Sequence, residues 1–424
     1  MKIAIVGAGL AGLRAAQLLE QSGNEVVIFE ARDRVGGRLH TVQSSEGFYE
    51  GGGEWIDGDH HRLISLLKEF NLEPEPTDFY PGIVVSRGEV APEDNPGDRA
   101  TADFDGIDEA ASAIAQRMPA EPWLDEDYAD LDRKSLADWF DRQCTSDVGR
   151  WFVEAYYRSD EGEDTDQISL LSWLHFYRNY LAREVGEMSA ARIPGGSQTL
   201  CQHIADGLQA EILYGKSLKS FETREDHVEL WFEDEMVFAD RAIITVPPPI
   251  LAQIEWPVDQ EFRRNQIAQI NMARIIKVAL EYKTAWWEQS DWSGRLLTDL
   301  PCQQVWIGGR HGANVLCAYI CGEEAQMIAQ SSDPAQRVQN AFAEIFPESS
   351  DHFIGGKVHA WLDDPYANGA FPFIKPGKFV TAWPGRAEPV GNVHFAGDWT
   401  AEWFGFMEGA LESAERVNQE INNE

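Results

Sequence analysis

Residues 3–30, IAIVGAGLAGLRAAQLLEQSGNEVVIFE, decide the fold. Ile3 to Val6 read as a buried strand, LAGLRAAQLLEQSG as a helix and EVVIFE as a second strand. Between the first strand and the helix stands Gly7-Ala8-Gly9-Leu10-Ala11-Gly12. Gly7 permits the tight turn, Gly9 lets backbone approach a pyrophosphate, and Gly12 lets the helix pack close on the strand. The helix N-terminus then offers unpaired N–H groups and a positive dipole end to the phosphates. Glu30 closes the second strand 18 residues after Gly12, where its carboxylate can accept hydrogen bonds from a ribose diol. A glycine turn alone is weak. With both strands, the helix and the acidic end in place, it marks a dinucleotide-binding βαβ unit.

This unit leaves NAD and FAD open, and the next residues choose between them. Residues 30–41, EARDRVGGRLHT, add Gly36-Gly37, which lets backbone pass close to a diphosphate or ribityl chain. Arg32 and Arg38 flank the pair and can neutralise phosphate, a task suited to a bidentate guanidinium. An NAD fold needs no second glycine cluster here. Further on come Gly51-Gly52-Gly53 and an amphipathic helix, HHRLISLLKEF. Near the far end, VHFAGDWTAEWFGFMEGALESAERV (393–417) reads as a strand, a turn at Gly397-Asp398, an aromatic loop and a helix opened by Gly405 and Gly409.

These marks together closely resemble the flavin-dependent amine oxidase family, which includes monoamine, polyamine and L-amino acid oxidases. The resemblance is strongest over residues 1–75 and 355–418. It implies a Rossmann-type α/β FAD-binding domain carrying an inserted α+β substrate-binding domain, a mixed sheet plus a helical cap. It also implies that the terminal strand-turn-helix returns to cover the flavin. Asp398 would then bind the ribityl or diphosphate region, and the backbone N–H groups of Phe406 and Met407 would face the flavin edge that gathers negative charge. Gly53, Glu54, Trp55, Leu218 and Gly397 join the implied cofactor contacts.

Two more segments carry the resemblance. RIIKVALEYKTAWW (274–287) looks like the family strand whose lysine holds a water at flavin N5, which points to Lys277 rather than Lys283. A lysine in so apolar a strand rarely lies buried without a partner; period-2 alternation offers the plainer reading, a lysine on the solvent face. HAWLDDPYANGAFPF (359–373) resembles the segment in which Trp361 supports the flavin and Phe371 walls the substrate site, with Phe406 as the facing wall. Two aromatic faces would hold the amine and tolerate a partly cationic nitrogen; the plainer alternative is that both are ordinary core. Ala370 stands where monoamine oxidases attach flavin through Cys, so FAD is expected to bind non-covalently.

From Pro74 to Arg192 the composition shifts to acidic, Pro-rich loops (APEDNPGD, AEPWLDED) alternating with Trp- and Tyr-rich helices, which reads as an inserted cap. Residues 250–355 read as a second, strand-rich insertion. The expected division is a cofactor domain of residues 1–73, 193–249 and 356–424, and a substrate domain of residues 74–192 and 250–355. Trp173, Tyr177 and Trp403 are candidates for the substrate path, though aromatic stripes in helices are usually core. His60-His61 are expected partly exposed at a helix start, with no second cluster to complete a metal site. Asp363-Asp364 read as a Pro-directed turn. Glu54 is placed either against an amine or Arg38, or at the surface.

The bulk numbers exclude other classes. A chain of 424 residues, 43% hydrophobic, suits a soluble enzyme of two or three domains. A formal charge of −36 argues against nucleic acid and anionic membrane; it either draws in cationic substrates or simply keeps the surface soluble. No apolar run approaches the roughly 18 residues that span a bilayer, and the strand pattern directly after Lys2 leaves no room for a signal peptide. Five cysteines without a CxxC pair suit cytoplasmic thiols.

The expectation is therefore an oxidase that converts a primary amine or L-amino acid to the imine with FAD and O2, releasing hydrogen peroxide. The assembly considered is a homodimer. An α-carboxylate on the substrate would need a cation, for which Arg192 and Arg274 are the candidates. The alternatives are a flavin-dependent desaturase of an apolar substrate such as a carotenoid or porphyrinogen, and a flavin-binding sensor without turnover.

Overall fold

A computed structural model describes residues 1–77, 82–183 and 188–423. Its first sheet has five strands in the order Glu211–Tyr214, Glu25–Glu30, Lys2–Val6, Arg241–Ile244 and Val393–Phe395. All are parallel, with Ile3 opposite both Val26 and Arg241. The residues of the first strand alternate between two cores. Ile3 and Ile5 face helices Leu10–Gln21 and Met407–Asn422, while Ala4 and Val6 face the opposite layer with Phe29, Leu230 and Ile244. Burial on both faces explains the unbroken apolar run, as a parallel sheet requires. The last strand of the chain thus sits two places from the first, and the expected return is a fact of the topology.

A seven-stranded mixed sheet forms the second layer system, in the order Phe353–Ala360, Ile275–Tyr282, Val315–Cys321, Gln304–Ile307, Arg295–Thr298, Ile83–Ser86 and Glu89–Pro92. The strand Phe353–Ala360 carries this sheet past residue 355, where the sequence placed the return. Strand Ile83–Ser86 pairs with Arg295–Thr298, so a hairpin of the first insertion completes the sheet of the second. Helices Asp98–Ala115, Leu136–Gln143, Asp147–Glu161 and Leu170–Leu181 supply the cap. Ile276, Val278 and Leu280 enter a core with Trp286, Val338 and Phe342. The alternate residues of that strand face the other way: Ala279 packs with Tyr49 and Val315, and Lys277 reaches Gly52 and Glu54. No described helix is long and apolar enough to cross a membrane.

Candidate active site

One cavity of about 720 Å³ runs from the first glycine turn to the helical cap, within the range of roughly 300–1,000 Å³ typical of ligand sites. Its near end is the turn at Gly7. Gly7 sits at φ +109°, and a Cβ there would come 2.3 Å from Thr245 Oγ1. A Cβ on Gly12 would meet the Gly7 carbonyl at 2.0 Å, so Gly12 serves helix–strand packing, as expected. Gly9 is different: nothing lies within 4 Å of its Cβ position, and it lines the cavity. It caps helix Leu10–Gln21 without any side-chain hydrogen bond, so the amino end of that helix faces open space. A backbone approach left bare at a helix N-terminus fits a pyrophosphate.

Glu30 lines the same end and accepts hydrogen bonds from the backbone N–H groups of Ala8 (2.7 Å) and Arg32 (2.8 Å). The carboxylate is thereby fixed at the mouth of the turn. Arg34, which the sequence reading passed over, donates to the carbonyls of Val35, Gly37 and Leu39 and braces the Gly36-Gly37 loop. Arg32 and Arg38 both line the cavity. Arg32 is bidentate to Asp364 at 2.9 and 2.6 Å, and Arg38 is bidentate to Asp398, with one bond of 2.8 Å. Each guanidinium is therefore held in place by a carboxylate that the sequence did not indicate. Asp364 is thus an ion-pair partner as well as a turn residue.

The middle of the cavity is built by the strand Ile275–Tyr282. Alternation does turn Lys277 away from Ile276 and Val278, yet the face it joins is not solvent. Lys277 is 5% exposed, and its ammonium donates to Glu54 Oε2 at 2.7 Å and to the Gly52 carbonyl at 2.9 Å. Glu54 is neither at the surface nor paired with Arg38. It is 3% exposed, and its other oxygen lies 2.6 Å from Arg192 Nη2, a charge contact without the alignment of a hydrogen bond. Burial works against the charge on both groups. Their mutual attraction outweighs it, holding the Glu54 carboxyl below and the Lys277 ammonium above their ordinary values. Burial, with Glu54 beside it, pushes the Glu50 carboxyl up to about 7. Trp55 and Trp306 close this wall, the latter ring 5.1 Å from Lys277 Nζ.

Aromatic side chains surround the next stretch. Trp361 is fixed by a 2.7 Å hydrogen bond from Nε1 to the Gly51 carbonyl. Phe371, Phe406, Leu218, Trp173, Tyr177 and Trp403 all line the cavity. Phe406 keeps 42% of its surface accessible, although the cavity wall is where that surface lies. Helix Met407–Asn422 starts directly after it with no side-chain cap, so its amino end opens on the cavity. Gly53, Gly397 and Asp398 complete the floor.

His60 corrects the sequence reading. It is 1% exposed, its Nδ1 accepts the Asp57 N–H at 3.1 Å, and its Nε2 lies 3.4 Å from Asp57 Oδ2. Donor atoms of Asp57, Asp59 and His60 lie within 4.8 Å of one another, a cluster hidden by the dull spacing D-x-D-H. Burial pushes the His60 imidazole down to about 4, so it stays neutral in its hydrogen-bonded seat. His61 is exposed. Of the two cations considered for a carboxylate, Arg192 is engaged by Glu54 and Arg274 by Glu163 and Asp164.

A family profile described as "Flavin containing amine oxidoreductase" matches residues 10–422. The chain is 24% identical over 450 residues to amine oxidase [flavin-containing] A of Equus caballus, covering 99% of this chain and 85% of that protein. It is 27% identical over 468 residues to the putative L-amino-acid oxidase YobN of Bacillus subtilis, covering 99% of this chain and 94% of the other. Among solved structures, a putrescine oxidase bound to putrescine superposes with TM-score 0.88 at 23% identity, covering 100% of both chains. Cyclohexylamine oxidase from Brevibacterium oxydans superposes with TM-score 0.87 at 25% identity, covering 99% of both.

Proposed function

This chain belongs to the flavin-containing amine oxidoreductase family, and from that premise we propose that it oxidises a primary amine to the imine and returns the electrons to dioxygen. It is an FAD-dependent amine oxidase by descent. The observation that carries the reading is the continuity of the cavity. A bare glycine turn at a helix N-terminus leads without a break to Lys277, Phe371 and Phe406, where the amino end of a second helix opens. No cysteine lines it among the described residues, which supports non-covalent binding.

When bound, FAD supplies the redox chemistry, taking the electron pair from the amine carbon and passing it to O2 to give hydrogen peroxide. The protein orients and desolvates. Gly7, Gly9, Glu30 and the Gly36-Gly37 loop hold the nucleotide half, while Asp398, Gly397 and the amino end at Met407 hold the rest. Phe371 and Phe406 wall the amine and exclude water from it. The fixed ammonium of Lys277 supplies positive charge to the oxygen-reducing half of the reaction, without reorganisation at the moment it is needed. A primary amine is favoured over an amino acid because Arg192 and Arg274 are both committed to carboxylates. The imine leaves and hydrolyses to an aldehyde and ammonia. We place the cofactor part in residues 1–73, 193–249 and 356–424 and the substrate part in the two insertions, with the enzyme working in the cytoplasm.

The test is anaerobic titration of the holoprotein with a panel of amines and amino acids, followed by air. Bleaching of the flavin spectrum by an amine, and peroxide release on reoxidation, is the expected result. A flavin that no amine bleaches would return the sensor reading.

A further inference from the structure

The cavity that holds the aromatic slot is also lined by two carboxylates with no assigned work. Asp160 and Glu161 are the last residues of helix Asp147–Glu161 and line the cavity. Neither has a hydrogen-bond or ion-pair partner among the described residues, although nearby acids do: Glu93 pairs with Arg295, Glu154 with Arg150, and Glu163 with Arg274. Asp160 keeps an exposed surface and Glu161 a partly exposed one, and both side chains line the cavity. They stand next to the slot. Gly162 follows them in the left-handed conformation, and a Cβ there would come 2.5 Å from Phe371 Cζ.

Stability does not account for them. Acids at a helix C-terminus oppose the dipole, where a fold would favour Lys or Arg. Burial pushes both carboxyls up, and Asp57 adds repulsion on Asp160, which adds its own on Glu161. A second observation gives this end its sign. Asp59, 3% exposed and with one carboxylate oxygen unpartnered, lines the same cavity. Burial first, and then the charges of Asp160, Asp57, Asp59 and Asp108, push the Tyr180 hydroxyl up, so four acidic side chains act on one phenol. Of the cations here, Arg295 is held by Glu93, and Arg183 lies over the Trp403 ring, 3.6 Å from its centroid. Asp160 and Glu161 belong to no three-ligand cluster among the described residues, which argues against a metal ion.

We propose that Asp160 and Glu161 form a distal subsite for a second ammonium group, so that the preferred substrates are diamines. One amino group, neutral, sits in the Phe371–Phe406 slot and is oxidised; the other stays protonated between the two carboxylates. The proposal rests on the amine-oxidase reading above and narrows its substrate.

The experiment compares kcat/KM for 1,5-diaminopentane, pentylamine and 5-aminopentan-1-ol, which are matched in length. The holoenzyme is expected to prefer the diamine by about 10- to 100-fold, the scale of a hydrogen-bonded charge pair. In Asp160→Asn/Glu161→Gln, with flavin content confirmed, the ratio of diamine to pentylamine falls towards one. Asp160→Glu, which keeps the charge, retains the preference and controls for folding. A wild-type ratio near one, or a ratio unmoved in the double variant, overturns the subsite while leaving amine oxidation intact. If no amine bleaches the flavin, the oxidase reading fails instead. The subsite is then decided by spectral titration of the bound flavin: tighter binding of the diamine than of pentylamine supports it, and equal binding overturns it.

Discussion

The ammonium of Lys277 and the carboxylate of Glu54 meet at 2.7 Å although 223 residues separate them in the chain. Removing one partner of a buried pair strands the other, at a cost of about 3–5 kcal/mol. Glu54→Gln should therefore lower the melting temperature sharply at neutral pH. The Glu54 carboxyl is held below its ordinary value of 4.5, so its contribution is present above that pH and is lost as pH falls through the depressed value. The gap between wild type and Glu54→Gln should accordingly close in acid. A gap that stays constant from pH 7 to pH 3 would remove the pair from the account of stability.

Lys277→Met leaves Glu54 with Arg192 alone. Reoxidation of the reduced flavin by O2, followed by stopped flow, should slow by about 10²-fold, the usual cost of losing one preorganised charge-stabilising group. Unchanged reoxidation would deny Lys277 its assigned part.

Glu50 lies beside this pair with its carboxyl pushed up to about 7 by burial and by Glu54. A raised folded value means that the native state binds the extra proton, so stability is lost as pH rises from about 4.5 through about 7. Glu50→Gln keeps an acceptor for the Ser197 N–H (2.8 Å) and removes the charge. Its melting temperature should gain on wild type progressively between pH 5 and pH 8. Parallel pH curves for the two proteins would contradict this.

Gly9 has extended backbone (φ −76°, ψ 179°) and open space at its Cβ position. Gly9→Ala should fold to an apoprotein at least as stable as wild type, since alanine fits that backbone and reduces unfolded-state freedom. The methyl group would occupy the approach to the pyrophosphate, so FAD affinity should fall in a titration of apoprotein with FAD. An unchanged affinity would move the phosphates away from this turn.

The pH dependence of diamine preference follows from the raised Asp160 and Glu161 carboxyls. A protonated carboxyl offers an ammonium no charge. The ratio of diamine to pentylamine kcat/KM should rise with pH above the ordinary carboxylate range, as the pair ionises. Asp57 and Arg295 act on Asp160 directly, and Tyr177, Tyr180 and Tyr319, their hydroxyls pushed up chiefly by burial and so neutral in this range, face the same space. A ratio independent of pH would count against ionised carboxylates there.

Much was legible in the order of residues. A four-residue strand, a glycine turn and an apolar helix are set by sterics and periodicity within a short window, so residues 3–30 specify their own geometry. Lys277 stood out because a lysine inside an apolar strand is costly wherever it points. Its partner was not legible, because strand register and the folding-back of the Gly51–Gly53 loop bring Glu54 to it. For the same reason the partners of Arg32 and Arg38 were not legible: Asp364 and Asp398 lie 332 and 360 residues away and meet them only in space. His60 looked exposed in a polar stretch and is buried by aromatic rings of the terminal loop, Trp403 and Phe406.

By itself, then, the sequence determined the nucleotide-binding unit, the class of cofactor and the strand that bears the lysine, since each is written in neighbouring residues. Only the tertiary structure decided which charges cancel and which remain unmatched, because electrostatic partners are chosen by distance through space. On that ground the unpaired carboxylates at the end of Asp147–Glu161, unremarkable in an acidic chain, become the feature on which the proposed diamine subsite rests.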